Sequence, residues 1–117
     1  MRNRSAIALG NLGLQDCIFP LQKLLHDVEP NVRWNAAVSL AKLGSDRGRD
    51  VLLSLLQRGY LDQFDDVDPY EQTEAMLTAI NAATILEDPS LNAAILKLSQ
   101  EDMNMKVRDA AIKALNL

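Results

Sequence analysis

Apolar residues recur along this chain at steps of three and four residues, and one arrangement of them returns several times. Val32, Ala36, Leu40 and Leu43 have counterparts in three other segments: Met1, Ser5, Leu9 and Leu12; Ala75, Ala79, Ala83 and Leu86; Val107, Ala111 and Leu115. Steps of three and four place side chains on one face of an α-helix. The pattern therefore predicts four copies of one amphipathic helix.

A second apolar pattern lies between these copies. Leu21, Leu24 and Leu25 match two later sets, Leu52, Leu55 and Leu56, and then Ile95, Leu98 and Ser99. The spacing is again helical, so the sequence predicts three copies of a second type of helix that alternates with the first.

Residues that favour helix ends stand at the borders of these segments. Gly13 and Gly44 each follow the last apolar residue of a helix, where glycine adopts the left-handed C-terminal cap without steric cost. Ser45 and Asp88 precede the next helices and carry an oxygen that accepts the free N–H groups of a first turn. Pro89 suits the first helical position. Both kinds of border agree with the helices predicted from the apolar spacing.

The composition favours an all-α fold class. The 117 residues include twenty Leu and fourteen Ala, which are strong helix formers, but only four Pro and five Gly. A β-sandwich or barrel needs more turns and more β-branched residues. Cys17 is the single cysteine, so no internal disulfide forms, and no Cys and His cluster suggests a structural metal. No apolar run approaches the roughly 18 residues of a membrane span, so we expect a soluble chain without a membrane partner.

The acidic charge is concentrated in one segment. The net charge is −4, and residues 58–71 contain Arg58 as their only base. The acids of this segment are Asp62, Asp65, Asp66, Asp68 and Glu71. Binding to a nucleic-acid backbone requires clustered Lys and Arg, and no such excess is present. We therefore expect no nucleic-acid partner.

One segment resembles a HEAT repeat. It reads Asp27-Val28-Glu29-Pro30-Asn31-Val32-Arg33, then Ala36-Ala37 and Leu40, and ends Leu43-Gly44. The same signature returns at Asp102, Val107-Arg108, Ala110-Ala111 and Leu115. The chain is most similar to the short bacterial repeats also found in phycobilisome lyases. This resemblance covers nearly the whole chain and implies an α-solenoid of antiparallel helix pairs, a fold that hosts many unrelated functions.

In that family the Leu-rich helix is the first of each repeat and the Val-Arg helix is the second. Residues 1–117 then form a single domain of about three and a half repeats, with an insertion at about 58–69. Its parts are an orphan second helix at 1–13 and repeats at 14–44, 45–87 and 88–117. Because the orphan helix lacks its partner, we expect a piece of a longer array. We also expect end-to-end self-association through Ile7, Leu9 or Leu12.

The Asp and Arg of the signature have a structural role in HEAT repeats. Asp27 and Arg33 have the same spacing as Asp102 and Arg108. In the family such pairs form a ladder between repeats, in which the carboxylate binds the Arg and free backbone N–H groups. The resemblance implies the same ladder here. The middle repeat lacks it, since Met76 stands at the position of the Arg.

The insertion at 58–69 and its edge hold three of the five aromatic residues, Tyr60, Phe64 and Tyr70. Acids interleaved with aromatics on a long loop suggest docking of a basic partner, and such a loop would be dispensable for folding. The alternative is a longer turn whose aromatics pack against helix ends. The acids lack the alternating spacing and the Gly of the known calcium loop, so we expect no metal site.

The reactive side chains do not suggest catalysis. Hydroxylases built from HEAT repeats hold two irons with paired His-Glu motifs, whereas His26 is the one histidine here and Asp27 follows it. Cys17 has no His in a matching motif. We therefore expect neither enzymatic activity nor a bound cofactor.

The second helices carry further apolar residues away from the predicted core. On a helical wheel, Trp34 and Val38 lie opposite Val32 and Leu40. Their counterparts are Asn3, Leu77 and Asp109 for Trp34, and Ile7, Asn81 and Lys113 for Val38. Second helices line the concave face of HEAT arrays, so the resemblance implies a partner-binding strip of Ile7, Trp34, Val38 and Leu77, flanked by Asn35 and Lys42. The alternative is that Trp34 packs sideways against the insertion or a neighbouring repeat.

These observations predict a protein-protein interaction scaffold without catalysis of its own. Its predicted contacts are the second-helix strip and the acidic insertion with Tyr60 and Phe64. The alternative is an accessory or chaperone subunit of an enzyme, such as a bilin lyase. We expect a protein partner and a cytoplasmic location.

Overall fold

The computed structural model describes residues 18–116. They form helices α1 (Ile18–Leu24), α2 (Pro30–Lys42), α3 (Arg49–Leu55), α4 (Arg58–Leu61), α5 (Pro69–Leu86), α6 (Pro89–Glu101) and α7 (Met105–Ala114), with a 3-10 turn at Asp46–Gly48. No β-strand occurs among these residues, which confirms the predicted all-α fold class. The chain divides into two compact units, Met1–Leu52 and Leu53–Leu117.

In the first unit, α1 packs against α2 through the apolar positions that the periodicity predicts. Leu21, Ala36 and Leu40 are fully buried and form one cluster with Leu43. Ile18, Leu24 and Leu25 pack against the edge of this cluster. Replacing Leu21 by Ala would remove a buried side chain from its centre, at a cost of about 2–5 kcal/mol.

The 3-10 turn lies against α2 through a glycine. Ser45 caps the turn, since its hydroxyl accepts the N–H of Arg47 at 3.3 Å. Gly48 is buried, and a Cβ added there would lie 2.8 Å from the Cα of Ala37. The close approach of two backbones therefore explains the glycine at this position.

The second helices α2, α5 and α7 end in the same way. A residue with a left-handed backbone follows each helix end by one or two positions, with φ of 81° at Gly44, 51° at Glu87 and 58° at Asn116. The N–H of Gly44 donates to the carbonyl of Ala41, and the N–H of Ser45 donates to that of Leu40, both at 2.9 Å. These two bonds form a Schellman cap and confirm the helix end predicted at Gly44.

In the second unit, α5 packs against α6 and α7, which also pack against each other. The large fully buried side chains of this unit are Leu55, Leu56, Leu61, Met76, Ile80, Leu91, Ile95 and Val107. Helix α5 has 18 residues and α2 has 13. Because the two helices end at equivalent positions, α5 is longer at its N-terminus, where it begins at Pro69. The last residue assigned to the insertion is therefore the first residue of a helix.

Candidate partner-binding site

The turns before α2 and α7 carry the Asp-Arg signature and have the same local hydrogen bonds. Nη1 of Arg33 donates to the backbone carbonyl of Asp27 at 2.8 Å, and Nη1 of Arg108 donates to that of Asp102 at 2.7 Å. Each Asp carboxylate accepts the backbone N–H two residues later, at 2.9 and 3.0 Å. The signature thus closes each turn through the main chain. Within each turn, the Arg donates to the carbonyl of the Asp, while the carboxylate accepts a backbone N–H as the ladder expectation had it.

The carboxylate of Asp102 pairs instead with Arg58. Nε of Arg58 donates to Oδ1 at 3.1 Å and Nη2 donates to Oδ2 at 2.8 Å. The side chains are 15% and 3% exposed. A bidentate Arg–carboxylate pair fixes geometry as well as charge. Arg58 belongs to the middle repeat and Asp102 to the last one, so a link between repeats exists, with a different Arg from the one predicted.

Arg58 also connects α4 to α5. Its Nη1 donates to Oε1 of Gln72 at 3.3 Å, and Nε2 of Gln72 donates to Oδ1 of Asp62 at 3.1 Å. Gln72 is buried, and no buried side-chain nitrogen or oxygen among residues 18–116 lacks a hydrogen-bond partner. A buried polar network whose members are all satisfied holds its parts in one arrangement. Here it joins α4, the first turn of α5 and the turn between α6 and α7.

A groove of about 590 Å³ opens beside this network, between the N-terminal ends of α5 and α7. We call it the turn groove. Its lining residues are Arg58, Pro69, Tyr70, Thr73, Glu74, Met103, Asn104, Met105 and Lys106. Tyr70, Met103 and Met105 are 70%, 79% and 67% exposed. Three large apolar side chains thus stand in solvent around one concave surface.

Helix caps position these side chains. Asp68 caps α5 by accepting the N–H of Glu71 at 2.8 Å, while the Glu71 carboxylate accepts the N–H of Asp68 at 3.3 Å. This capping box fixes the first turn of α5, which carries Tyr70. The Oδ1 of Asn104 accepts the N–H groups of Lys106 and Val107, at 2.8 and 3.3 Å, and so fixes the first turn of α7, which carries Met105.

The segment that leads into α5 is acidic and exposed. Its exposed acids are Asp62, Asp65, Asp66, Asp68, Glu71 and Glu74. None of them forms an ion pair with a Lys or Arg among the described residues, and Asp102 binds the only base of this segment, Arg58. Within residues 18–116 these acids do not assemble into a group that would hold a metal ion. The start of α5 and the segment before it therefore carry negative charge that no described base pairs with, and Glu74 brings part of it to the turn groove.

Comparison with known proteins places the chain in a family. Residues 1–67 match the family described as HEAT repeats. The chain belongs to the HEAT repeat family. No curated protein was found that matches this sequence. The matched residues include the first Asp-Arg turn of the HEAT array, whereas all residues of the turn groove except Arg58 follow residue 67. Family membership therefore does not assign a role to the groove.

The insertion in the middle HEAT repeat is part of the folded unit. Leu61 is fully buried, and Arg58 binds Asp102. The rings of Tyr60 and Phe64 are half-buried and meet edge to face, with centroids 5.2 Å apart and planes at 71°. These contacts argue against the expectation that this segment is dispensable for folding, because its removal would delete Leu61 from the core and take Arg58 away from Asp102.

The predicted strip on the second HEAT helices is not exposed at its centre. Trp34 is 6% exposed and Val38 is 8% exposed, so the expectation of an exposed Trp34 is wrong. Asn35 is half-buried and Lys42 is exposed. Ile7 lies outside the described residues. The helical wheel failed because it considers one packing direction, whereas a helix inside a repeat array has neighbours on several sides.

In the second unit, the helical wheel correctly predicts which residues of the second helices lie on one face. Leu77, Asn81, Asp109 and Lys113, which are counterparts of Trp34 and Val38, line one groove of about 480 Å³ between α5 and α7. Leu77 is half-buried, and the other apolar lining residues are the small Ala110 and Ala114. This face therefore offers less apolar surface than the turn groove.

Sequence reasoning did not identify Met103 and Met105. Met103 occupies the position that Val28 has in the other Asp-Arg turn, and Val28 is 80% exposed. The sequence feature that could have identified Met103 is a large apolar residue in a short turn. Such a residue is not on a helix face that packs against a neighbour, so it stays exposed. None of the helices in residues 18–116 has the length and hydropathy needed to cross a bilayer.

Proposed function

We propose that this HEAT repeat chain is a non-catalytic protein-binding module whose partner docks in the turn groove. The observation that supports the proposal is the exposure of Tyr70, Met103 and Met105 around one concavity. Grouped exposed apolar side chains mark interaction sites. Tyrosine is enriched among residues that dominate binding energy, and methionine adapts its shape to a partner.

The groove is also held in place before a partner arrives. Asp102 accepts hydrogen bonds from Arg58, Arg108 and the backbone of Asn104, and so fixes the turn that carries Met103. The capping box at Asp68 fixes the opposite wall. A surface that is already ordered loses less conformational freedom on binding, and this favours affinity.

Photo-crosslinking tests the proposal. A photoreactive amino acid is placed at position 103 of the full chain, and a matched control carries it at position 28, the equally exposed equivalent in the other turn. We expect a crosslinked partner from position 103 and none from position 28. The product should disappear when Tyr70→Asp is added to the first protein. Equal products from both positions, or no product from position 103, would contradict the proposal.

The proposal also covers the repeat subtype, the location of the chain and its lack of enzymatic activity. The residues from Asp27 to Gly44 support the short bacterial repeat type that is also found in phycobilisome lyases. Because of that resemblance, a second candidate function is that of an accessory subunit of a bilin lyase. The absorption spectrum of the chain purified from bilin-producing cells would test it. We propose a cytoplasmic location and no enzymatic activity. Self-association through Ile7, Leu9 or Leu12 stays a prediction, because these residues lie outside the described part.

A further inference from the structure

We infer that the occupant of the turn groove is a basic segment of a partner protein, which places an apolar side chain in the groove and Lys or Arg residues against its acidic side. The inference rests on the proposed function, that the groove binds a protein. It follows from the juxtaposition of three exposed apolar side chains with acids that form no ion pair among the described residues: Glu74 lines the groove, and Asp68 and Glu71 flank Tyr70 at the start of α5.

The two walls of the groove differ in charge. Asp102 neutralises Arg58, and Arg108 donates to a backbone carbonyl and does not line the groove. Lys106 is the one lining base that no described carboxylate pairs with. Six exposed acids lie in the segment that enters and begins α5, and one of them, Glu74, lines the groove itself. The field at the α5 side is therefore negative.

This field selects among occupants. Phosphate groups of a nucleic acid or of an anionic lipid surface would be repelled by the acids. A purely apolar segment would bring no positive charge to the acids, and a purely basic segment would leave Met103 and Met105 in water. A segment that combines both satisfies both, since apolar anchors supply affinity and complementary charges supply specificity and a faster association.

Fluorescence anisotropy with defined peptides tests the inference on the full chain. The probe is a fluorescein-labelled peptide of about twelve residues with two leucines flanked by four lysines, a length suited to a surface groove. One control peptide carries glutamates in place of the lysines, and another carries serines in place of the leucines. We expect the basic apolar probe to bind at least about tenfold more tightly than either control, and to weaken as salt rises.

Variants of the chain locate the binding. Met103→Ser should weaken the probe at least about tenfold, and Val28→Ser should leave it unchanged. Glu71→Gln/Glu74→Gln keeps the capping box, because Gln serves at that position, and should weaken the probe about three- to tenfold. Glu87→Gln/Asp109→Asn removes the same number of charges elsewhere in the unit and should have less than about a twofold effect. Circular dichroism of each variant verifies folding, and Tyr70→Ser replaces Met103→Ser if the latter does not fold.

The inference is overturned if the glutamate peptide binds as tightly as the lysine peptide, if no peptide binds, or if the two charge variants have equal effects. Its failure is distinguishable from failure of the proposed function. A crosslink specific to position 103 that is indifferent to Glu71→Gln/Glu74→Gln would keep the docking groove and reject a basic partner. Absence of that crosslink would reject the groove itself.

Discussion

The two Asp-Arg turns, at residues 27–33 and 102–108, have the same local structure and different surroundings. In both, the Arg donates to the carbonyl of the Asp, at 2.8 and 2.7 Å. Asp27 is half-buried, whereas Asp102 is buried and binds the guanidinium of Arg58. The turn in the second unit is therefore attached to α4 and α5, and it carries Met103 beside a groove.

This difference shows how a repeat protein gives one copy of a motif additional contacts. The signature itself specifies the fold of the turn, because its hydrogen bonds connect residues that are close in sequence. The additional contacts come from Arg58, which the insertion in the middle repeat supplies. The insertion thus acts through the polar network rather than as a free loop, and it helps to hold one wall of the turn groove.

The largest expected effect is on Asp102. Asp102→Asn keeps an oxygen for the turn but leaves the mostly buried Arg58 without its counter-charge, so we expect unfolding free energy to fall by about 3–5 kcal/mol. Asp27→Asn is the matched control, with an expected loss under about 1 kcal/mol because its carboxylate is only half-buried. Urea unfolding of both full-length variants measures the difference. Equal losses would mean that the two turns are energetically alike.

A second comparison concerns α4, which supplies Arg58. Leu61→Ala should cost about 2–5 kcal/mol, since Leu61 is fully buried. In the same helix, a Cβ at Gly59 meets no atom within 4 Å, so Gly59→Ala should stabilise by about 0.5–1 kcal/mol. Thermal unfolding distinguishes the two. A Leu61→Ala change below about 0.5 kcal/mol, the size typical of a surface substitution, would restore the free-loop interpretation of the insertion.

The shared part of the two turns predicts similar effects. Arg33→Ala and Arg108→Ala each remove a charge-assisted bond to a backbone carbonyl, and each should cost about 1.5–3 kcal/mol if the turn retains no water in its place. Chemical unfolding of the two variants should give values within about 1 kcal/mol of each other. A much larger loss for Arg108→Ala would show that Asp102 depends on Arg108 as well as on Arg58.

The sequence predicts what neighbouring residues determine. Helix type follows from apolar spacing, and the ends at Gly44 and Asp88 follow from the chemistry of caps, which acts within one turn of helix. The pairing of Arg58 with Asp102 joins residues 44 positions apart, and no periodicity connects them. The burial of Trp34 depends on how many neighbours surround its helix. Long-range pairs and the number of neighbours that cover a helix are tertiary properties. The periodicity of one sequence therefore does not predict them.

The smallest expected effect on stability separates docking from packing at the turn groove. Met103→Ser and Val28→Ser alter side chains that are 79% and 80% exposed, so each should change unfolding free energy by less than about 0.5 kcal/mol. Urea unfolding measures both. A loss above about 1 kcal/mol for Met103→Ser alone would mean that Met103 shields the Arg58 network, and its exposure would then be no argument for a partner. Suppose that both changes in unfolding free energy are near zero and that only Met103→Ser weakens binding. Met103 would then stabilise a complex with a partner rather than the fold of the chain.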